Sequence, residues 1–442
     1  MIFKFFFLVA YFAFSAEASI LSPPYPQTST DQSNVLRYLN GGPFVENTGF
    51  GLPLDPPYGC KIEQVQLFMR HGERYPTKSA GKTFETLYQK LKNDTVTSYS
   101  GPLAFVKDLE YFVNDPENYE MESTKGVYSG LLEAYRLGAF FRERYESLLD
   151  SSSVVPIFAA SQQRVVDTAR SFEKGLFLDQ YNSSCSIQII NEVGKMNGAN
   201  TLTPITNCLS YNTSLYQHTF GENIYQAEAE RLNALSPGFN ITPDDIFTMG
   251  AYCGYELNVK GKSDMCQALS MDAFQALQYQ DDLQKFYQFG PGHNMSAVSG
   301  GLLANASAQL LQEDRKVVFS FMHDNDLLTY FTALGLPTDT ELSTEEIEFH
   351  RSFKTSEFIP QGARLIIEKL NCSDSENVRF IVNDKVYPLP GCSSGPGFTC
   401  PLEETIELLT PEHEYAEACG LPDDRPHKLT FYWDWEPTFT DN

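Results

Sequence analysis

Positive charge is scarce in this chain. Its 442 residues carry 32 Lys and Arg against 57 Asp and Glu, a net charge of −25. So acidic a surface repels nucleic acid and anionic membranes, and neither is an expected partner. Beyond the N-terminus no stretch is apolar enough to read as a membrane helix. The Cys-x-x-Cys, His-Glu-x-x-His and His-x-His patterns of common metal sites are absent, which argues against a metalloenzyme. Internal repeats and low-complexity tracts are absent too. Hydrophobic residues make up 42% of the chain, enough for a sizeable core. The length predicts a large domain with a second lobe.

The N-terminus, MIFKFFFLVAYFAFSAEAS, pairs a basic flank at Lys4 with an apolar run from Phe5 to Phe14. Ala16-Glu17-Ala18 follows as a small-x-small signal, so a secretory signal peptide over 1–18 is expected, cleaved after Ala18. The polar C-terminus carries no lipid-anchor signal. Seven Asn-x-Ser/Thr sequons, at Asn93, Asn182, Asn212, Asn240, Asn294, Asn305 and Asn371, fit a secreted glycoprotein, extracellular or held in the cell wall or periplasmic space. Nine cysteines, at 60, 185, 208, 253, 266, 372, 392, 400 and 419, read as a disulfide framework with at least one thiol unpaired or intermolecular.

Residues 19–59 are rich in Pro, Gly and polar residues and predict an extended arm with a short helix near Val35 to Leu39. A strand–loop–helix pattern then occurs three times. IEQVQLFM runs into RHGERYP and the helix KTFETLYQKLKN; VVPIFAAS precedes QQRVVDTARSFEKGLF; KVVFSFM precedes HDNDLLTYFTALG. Polar residues follow each strand, and in open α/β sheets sites form at the carboxyl ends of strands. Residues 101–149 and 206–299 read as a mainly α-helical lobe. The α/β core is expected over 60–100, 150–205 and 300–442, with C-terminal strands at ARLIIEKLNC, NVRFIVNDKVYPL and KLTFYW.

Against the general scarcity of cations, FMRHGERYPT (68–77) packs Arg70, His71 and Arg74 into five residues. A neutral imidazole can attack phosphorus if the substrate charge is neutralised and the ring is oriented. Guanidinium groups bind phosphate oxygens bidentately and disfavour imidazolium, keeping His71 nucleophilic in mild acid. Gly72 is expected to let the backbone pass close to phosphate, and Pro76 to stiffen the loop exit. Arg164 and His323 are expected in the same crevice, His323 donating a hydrogen bond to the phosphoryl group, and Asp324 suits a general acid toward the leaving oxygen. His413-Glu414 lacks the second histidine of a metal motif, and His218, His293, His350 and His427 read as structural or exposed.

RHGERYPT, the Ser-x-x-Arg-Val at Ser161 to Val165, and MHDN at 322–325 resemble the histidine acid phosphatases, most closely the secreted yeast and fungal acid phosphatases and phytases. NTLTPITNC and the stretch from CGYELNVKG through QKFYQFGPG support the likeness, which spans nearly the whole mature chain. It implies an α/β fold with helices on both faces of a sheet and an inserted, mainly α-helical lobe. It implies His71 as the phosphorylated nucleophile, Arg70, Arg74, Arg164 and His323 as the phosphate-binding set, and Asp324 as the proton donor. No metal or organic cofactor is implied. The implied disulfides are Cys60–Cys372, Cys208–Cys419, Cys253–Cys266 and Cys392–Cys400, which leaves Cys185 free.

Phytases of this family add basic residues around the site. The candidates here are Lys78, Lys82 and Lys285, with Asn325 also a pocket residue; Ala80, Gln284 and Phe289 stand where fungal phytases tend to be basic. The expected substrates are therefore small phosphate monoesters in general, with phytate as the alternative. Nothing in the sequence excludes a homo-oligomer. A cytosolic phosphate mutase is disfavoured by the signal peptide and sequons, and a catalytically silent cell-wall glycoprotein by the full set of catalytic groups.

Overall fold

The computed structural model describes residues 34–39, 41–93, 96, 98–150, 153–192, 197–215, 220–373 and 375–438. The expected signal peptide and its cleavage point lie outside the described residues, as does His218. Among the described residues eight strands form one mixed sheet. They are β1 (Cys60–Arg70), β2 (Val155–Ala160), β3 (Cys185–Ile190), β4 (Val317–Met322), β5 (Arg364–Cys372), β6 (Ser375–Val382), β7 (Lys385–Val386) and β8 (Cys400–Pro401). The order is β3-β2-β4-β1-β5-β6-β7, with β8 also on β6. The strands from β3 to β1 run parallel, and β5 to β8 add antiparallel pairs.

The central strands are apolar because both faces are covered. Among the described residues nine longer helices accompany the sheet: α1 (Lys78–Leu91), α2 (Gly130–Arg144), α3 (Gln163–Phe177), α4 (Glu222–Leu235), α5 (Pro243–Lys260), α6 (Met271–Phe289), α7 (Ser296–Leu311), α8 (Asp324–Ala333) and α9 (Leu402–Leu409). Phe319 and Phe321 of β4 meet Phe141 and Phe172 of α2 and α3. On the opposite face Phe68 of β1 meets Tyr330 of α8, whose hydroxyl donates to Ser307 of α7 at 2.6 Å. Helices α2 and α3 touch almost backbone to backbone: a Cβ on Gly175 would lie 1.9 Å from the Tyr135 carbonyl oxygen.

A second apolar cluster joins α1, α4 and α5 to the first half of α6. Local sequence sets its helix ends. Thr242 and Asp245 form a capping box at the start of α5, and Gly261, at φ 77°, closes its end. Helix α6 spans both clusters, with Phe274 and Leu277 in the second and Tyr279, Leu283 and Phe286 in the sheet core.

Several expectations change. α1 packs with the helical cluster rather than the sheet, through Phe84, Leu87 and Leu91. α2 lies on the sheet rather than in the helical lobe, through Leu137, Phe140 and Phe141. KLTFYW is a turn, not a strand; Phe431 and Tyr432 lie against Phe158 with ring centroids at 5.4 and 4.8 Å. In the described part of the arm a 3-10 helix at Leu36–Tyr38 stands where the short helix was expected.

The bonded sulfurs are Cys60–Cys372, Cys208–Cys419, Cys253–Cys266 and Cys392–Cys400, and Cys185 is a buried free thiol. Six of the seven sequon asparagines are exposed, whereas Asn305 is half-buried inside α7. No helix of the described residues is long and apolar enough to cross a membrane.

Candidate active site

Sheet register assembles the site. Arg70 pairs with Met322, Ala159 with Phe321, and Ala160 with Ile190, so four parallel strands end nearly level. His71, Ser161 and His323 directly follow three of these strands, and Glu192 lies two residues beyond the fourth. The rings of His71 and His323 lie 5.8 Å apart, at 67°. Arg164 enters on the first turn of α3, and Asp324 opens α8.

His71 is 1% exposed and pinned through its backbone: its N–H donates to Met322 at 3.1 Å and its carbonyl accepts from Gly362 at 2.9 Å. Its Nδ1 lies 2.9 Å from the Gly72 carbonyl oxygen. That contact requires hydrogen on Nδ1, so Nε2 carries the free lone pair. Burial, then the guanidinium groups of Arg70, Arg74 and Arg164, hold the imidazole well below its ordinary 6.5. The ring is therefore neutral in mild acid.

Gly72 serves a different purpose from the one expected. A Cβ there would lie 2.9 Å from both Cα and O of Gly130, so glycine lets the start of α2 press against the loop. The Gly72 N–H donates to Thr168 Oγ1 at 3.0 Å, and Thr168 in turn reaches Glu122 Oε1 at 2.7 Å and the Arg164 carbonyl at 2.8 Å. Thr168 thus ties the histidine loop to the helix that carries Arg164.

The arginines converge. Arg70 donates to the Ile359 carbonyl and sits 3.6 Å from Asp324. Arg74 lies over the Tyr255 ring at 5.5 Å and donates to the Tyr75 carbonyl at 2.9 Å. The Nε–H groups of Arg70, Arg74 and Arg164 are all buried without a hydrogen-bond partner, three donors that an anion would satisfy. Behind His71 are the buried carboxyls of Glu73, Glu122 and Glu133. Burial raises all three, Glu73 to about 7, so in mild acid they are uncharged and leave the guanidinium field intact.

Lys285 Nζ lies 3.0 Å from Asp324 Oδ2 and 2.5 Å from Asn325 Oδ1. Burial opposes ionisation of Asp324, but Lys285 and Arg70 outweigh it and hold the carboxyl well below the usual range. A cleft of about 270 Å³ opens above, with Arg70, Arg74, Lys285 and Asp324 on one side and Tyr38, Phe247, Tyr255, Leu277 and Asp281 among its other walls. Lys78 and Lys82 do not join it; both are exposed on α1. His293 is buried and stacked on Tyr211 at 4.3 Å, whereas His350, His413 and His427 are exposed.

Three residues of the site carry no sequence signal: Thr168, Glu122 and Glu192. Glu192 Oε2 lies 2.9 Å from His323 Nε2. No local motif marks these residues, because they reach the site through tertiary register.

A family profile for the Histidine phosphatase superfamily (branch 2) matches residues 61–383. The chain belongs to that superfamily. It is 44% identical over 432 residues to acid phosphatase PHO1 of Komagataella pastoris, spanning 93% of this chain and 92% of that protein. It is 38% identical over 426 residues to phytase PHO112 of Candida albicans, spanning 93% and 92% respectively. Among solved structures, the phytase from D. castellii superposes with a TM-score of 0.86 at 37% identity, covering 96% of each chain.

Proposed function

We propose that the protein is a secreted acid phosphatase that hydrolyses phosphate monoesters through a phosphohistidine on His71. The observation that carries this reading is the neutral, backbone-pinned His71 facing three guanidinium groups with unpartnered Nε–H donors. Arg70, Arg74, Arg164 and His323 bind the phosphoryl oxygens. Nε2 of His71 attacks phosphorus, the ester P–O bond breaks, and the leaving oxygen takes a proton from Asp324. Water then attacks the phosphohistidine as Asp324 removes its proton, releasing inorganic phosphate and restoring neutral His71.

Asp324 is ionised in the free protein, so its proton must arrive with the substrate. Near pH 5 a phosphate monoester is a monoanion, its second pKa being about 6. Its P–OH proton passes to Asp324 and then to the leaving alcohol. The cycle balances as monoester monoanion plus water giving alcohol plus dihydrogen phosphate. No metal enters this scheme.

The signal sequence, the exposed sequons and the four disulfides support a secreted glycoprotein. Phytase is the second reading, favoured by the phytase relatives. Against phytate as the main substrate, Lys285 is the cleft lysine and is already paired with Asp324 and Asn325. The test is hydrolysis of p-nitrophenyl phosphate near pH 5 with a chelator present, beside rates on phytate and simple alkyl monoesters. Turnover that survives chelation supports the reading, and its absence refutes it. Higher kcat/KM on phytate than on alkyl monoesters would favour the second reading.

A further inference from the structure

We propose that Glu192 is a positioning residue for the phosphoryl-binding histidine, holding His323 through Nε2–H so that the ring offers its second N–H, at Nδ1, to the phosphate. The inference rests on the functional reading above and adds a residue to it.

Glu192 is built into the floor of the site. It follows edge strand β3, two residues beyond Ile190, which pairs with Ala160 of β2. Its carboxyl group is 9% exposed and spans two segments. Oε1 accepts from the Gln162 N–H at 2.7 Å, immediately before α3 and two residues from Arg164. Oε2 meets His323 Nε2 at 2.9 Å. The Glu192 N–H donates to Ser161 Oγ at 3.1 Å, which fixes the backbone beneath the side chain. One carboxylate therefore sets His323 and the start of the Arg164 helix relative to each other.

The chemistry follows from the proton count on imidazole. A neutral ring carries one N–H, and if Glu192 holds it, the other nitrogen is a bare lone pair facing phosphate oxygens. Only imidazolium has hydrogen on both nitrogens. For His323 to grip Glu192 and phosphate together both ring nitrogens must carry hydrogen, and the Glu192 carboxylate is the acceptor for the one at Nε2. Other charged groups face the pair. Arg164 on α3 and Arg70 and His71 after β1 stand on one side and ionised Asp324 on α8 on the other, whereas burial raises the Asp326 carboxyl well above its ordinary pKa. Among these, Glu192 is in hydrogen-bond contact with the ring and is ionised: burial pushes its pKa up, but its bonds to His323 and Gln162 and the nearby Arg164 bring it below the ordinary value.

Two variants separate charge from shape. Glu192→Gln keeps an acceptor for Nε2–H and removes the charge, while Glu192→Ala removes both. The measurement is competitive inhibition by inorganic phosphate against p-nitrophenyl phosphate from pH 4 to 7.5, with melting temperatures recorded in parallel. Glu192→Gln is expected to raise the phosphate Ki roughly tenfold at pH 5, the scale of one charge-assisted hydrogen bond. The loss should grow with pH and set in at lower pH than in the wild type. A wild-type Ki and profile in Glu192→Gln would overturn the proposal. So would an equal, pH-independent loss in both variants with a lowered melting temperature, which is the mark of a structural strut. Nitrogen-15 shifts of His323 in the phosphate-bound wild type give a test without mutation: both nitrogens protonated near pH 5 supports the proposal, and a neutral ring overturns it. A wild type that phosphate does not inhibit would remove the functional reading and this inference together.

Discussion

Replacing Lys285 with Met should move the alkaline limb of turnover upward. The lysine holds Asp324 ionised from 3.0 Å, while Arg70 stands off at 3.6 Å. At 3.0 Å the bare Coulomb attraction is about 5 kcal/mol for an effective dielectric near 20, and about 1.4 kcal/mol for one near 80. The two side chains are 17% and 21% exposed, so water screens part of the larger figure. A change of about 1–3 pKa units is the resulting expectation. The sign is fixed: removing the cation raises the Asp324 pKa, so Asp324 and the bound monoester monoanion keep their one shared proton to higher pH. The assay is kcat against pH on glycerol 2-phosphate, whose alkoxide leaves poorly without a proton. In Lys285→Met the falling limb should shift up by about one unit or more, while KM rises because a cleft cation is gone. Methionine keeps an unbranched stem but loses the ammonium that lies 5.0 Å over the Phe289 ring. A limb that stays in place or moves to lower pH would refute Asp324 as the proton donor under Lys285 control.

His71→Ala should reduce kcat by roughly 10⁴-fold or more on every ester, measured at saturating substrate with the fold checked by circular dichroism. Asp324→Asn should slow alkyl phosphates by about 10²–10⁴-fold and p-nitrophenyl phosphate far less; a uniform loss across leaving groups would argue against the acid role. Glu368 is fully buried between Arg144 and Arg379, which outweigh burial and lower its pKa. Glu368→Ala strands two buried guanidinium groups and should lower stability by about 3–5 kcal/mol in denaturant titrations. Because the Glu368 pKa is depressed by folding, its contribution is present above the unfolded carboxyl pKa and is lost as pH falls through the folded value. The gap between wild type and variant should therefore narrow in strong acid.

The segments proposed to be catalytic could be read from sequence because each is local. An apolar strand ending in RHGERYP or HD carries both the chemistry and its position in the fold. The two helices placed in the wrong layer, α1 and α2, show the limit of this reading. An amphipathic helix announces that it has an apolar face, not which core will cover it. KLTFYW alternates like a strand, yet its aromatics pack tilted and edge-on against Phe158 instead of extending an edge. Lys78 and Lys82 lie close to the motif in sequence, but α1 begins at Lys78 and leaves both lysines on its exposed face. Thr168 and Glu192 could not be found by pattern. Each is an ordinary polar residue until the strand ends are brought level.

The most direct measurement is rapid-quench trapping of the wild type during turnover of a phosphorus-32-labelled monoester. The account predicts an acid-labile, base-stable phosphoryl adduct on the peptide carrying His71, formed and discharged at rates that match turnover. Turnover with no such adduct, or with the label on another residue, would contradict it.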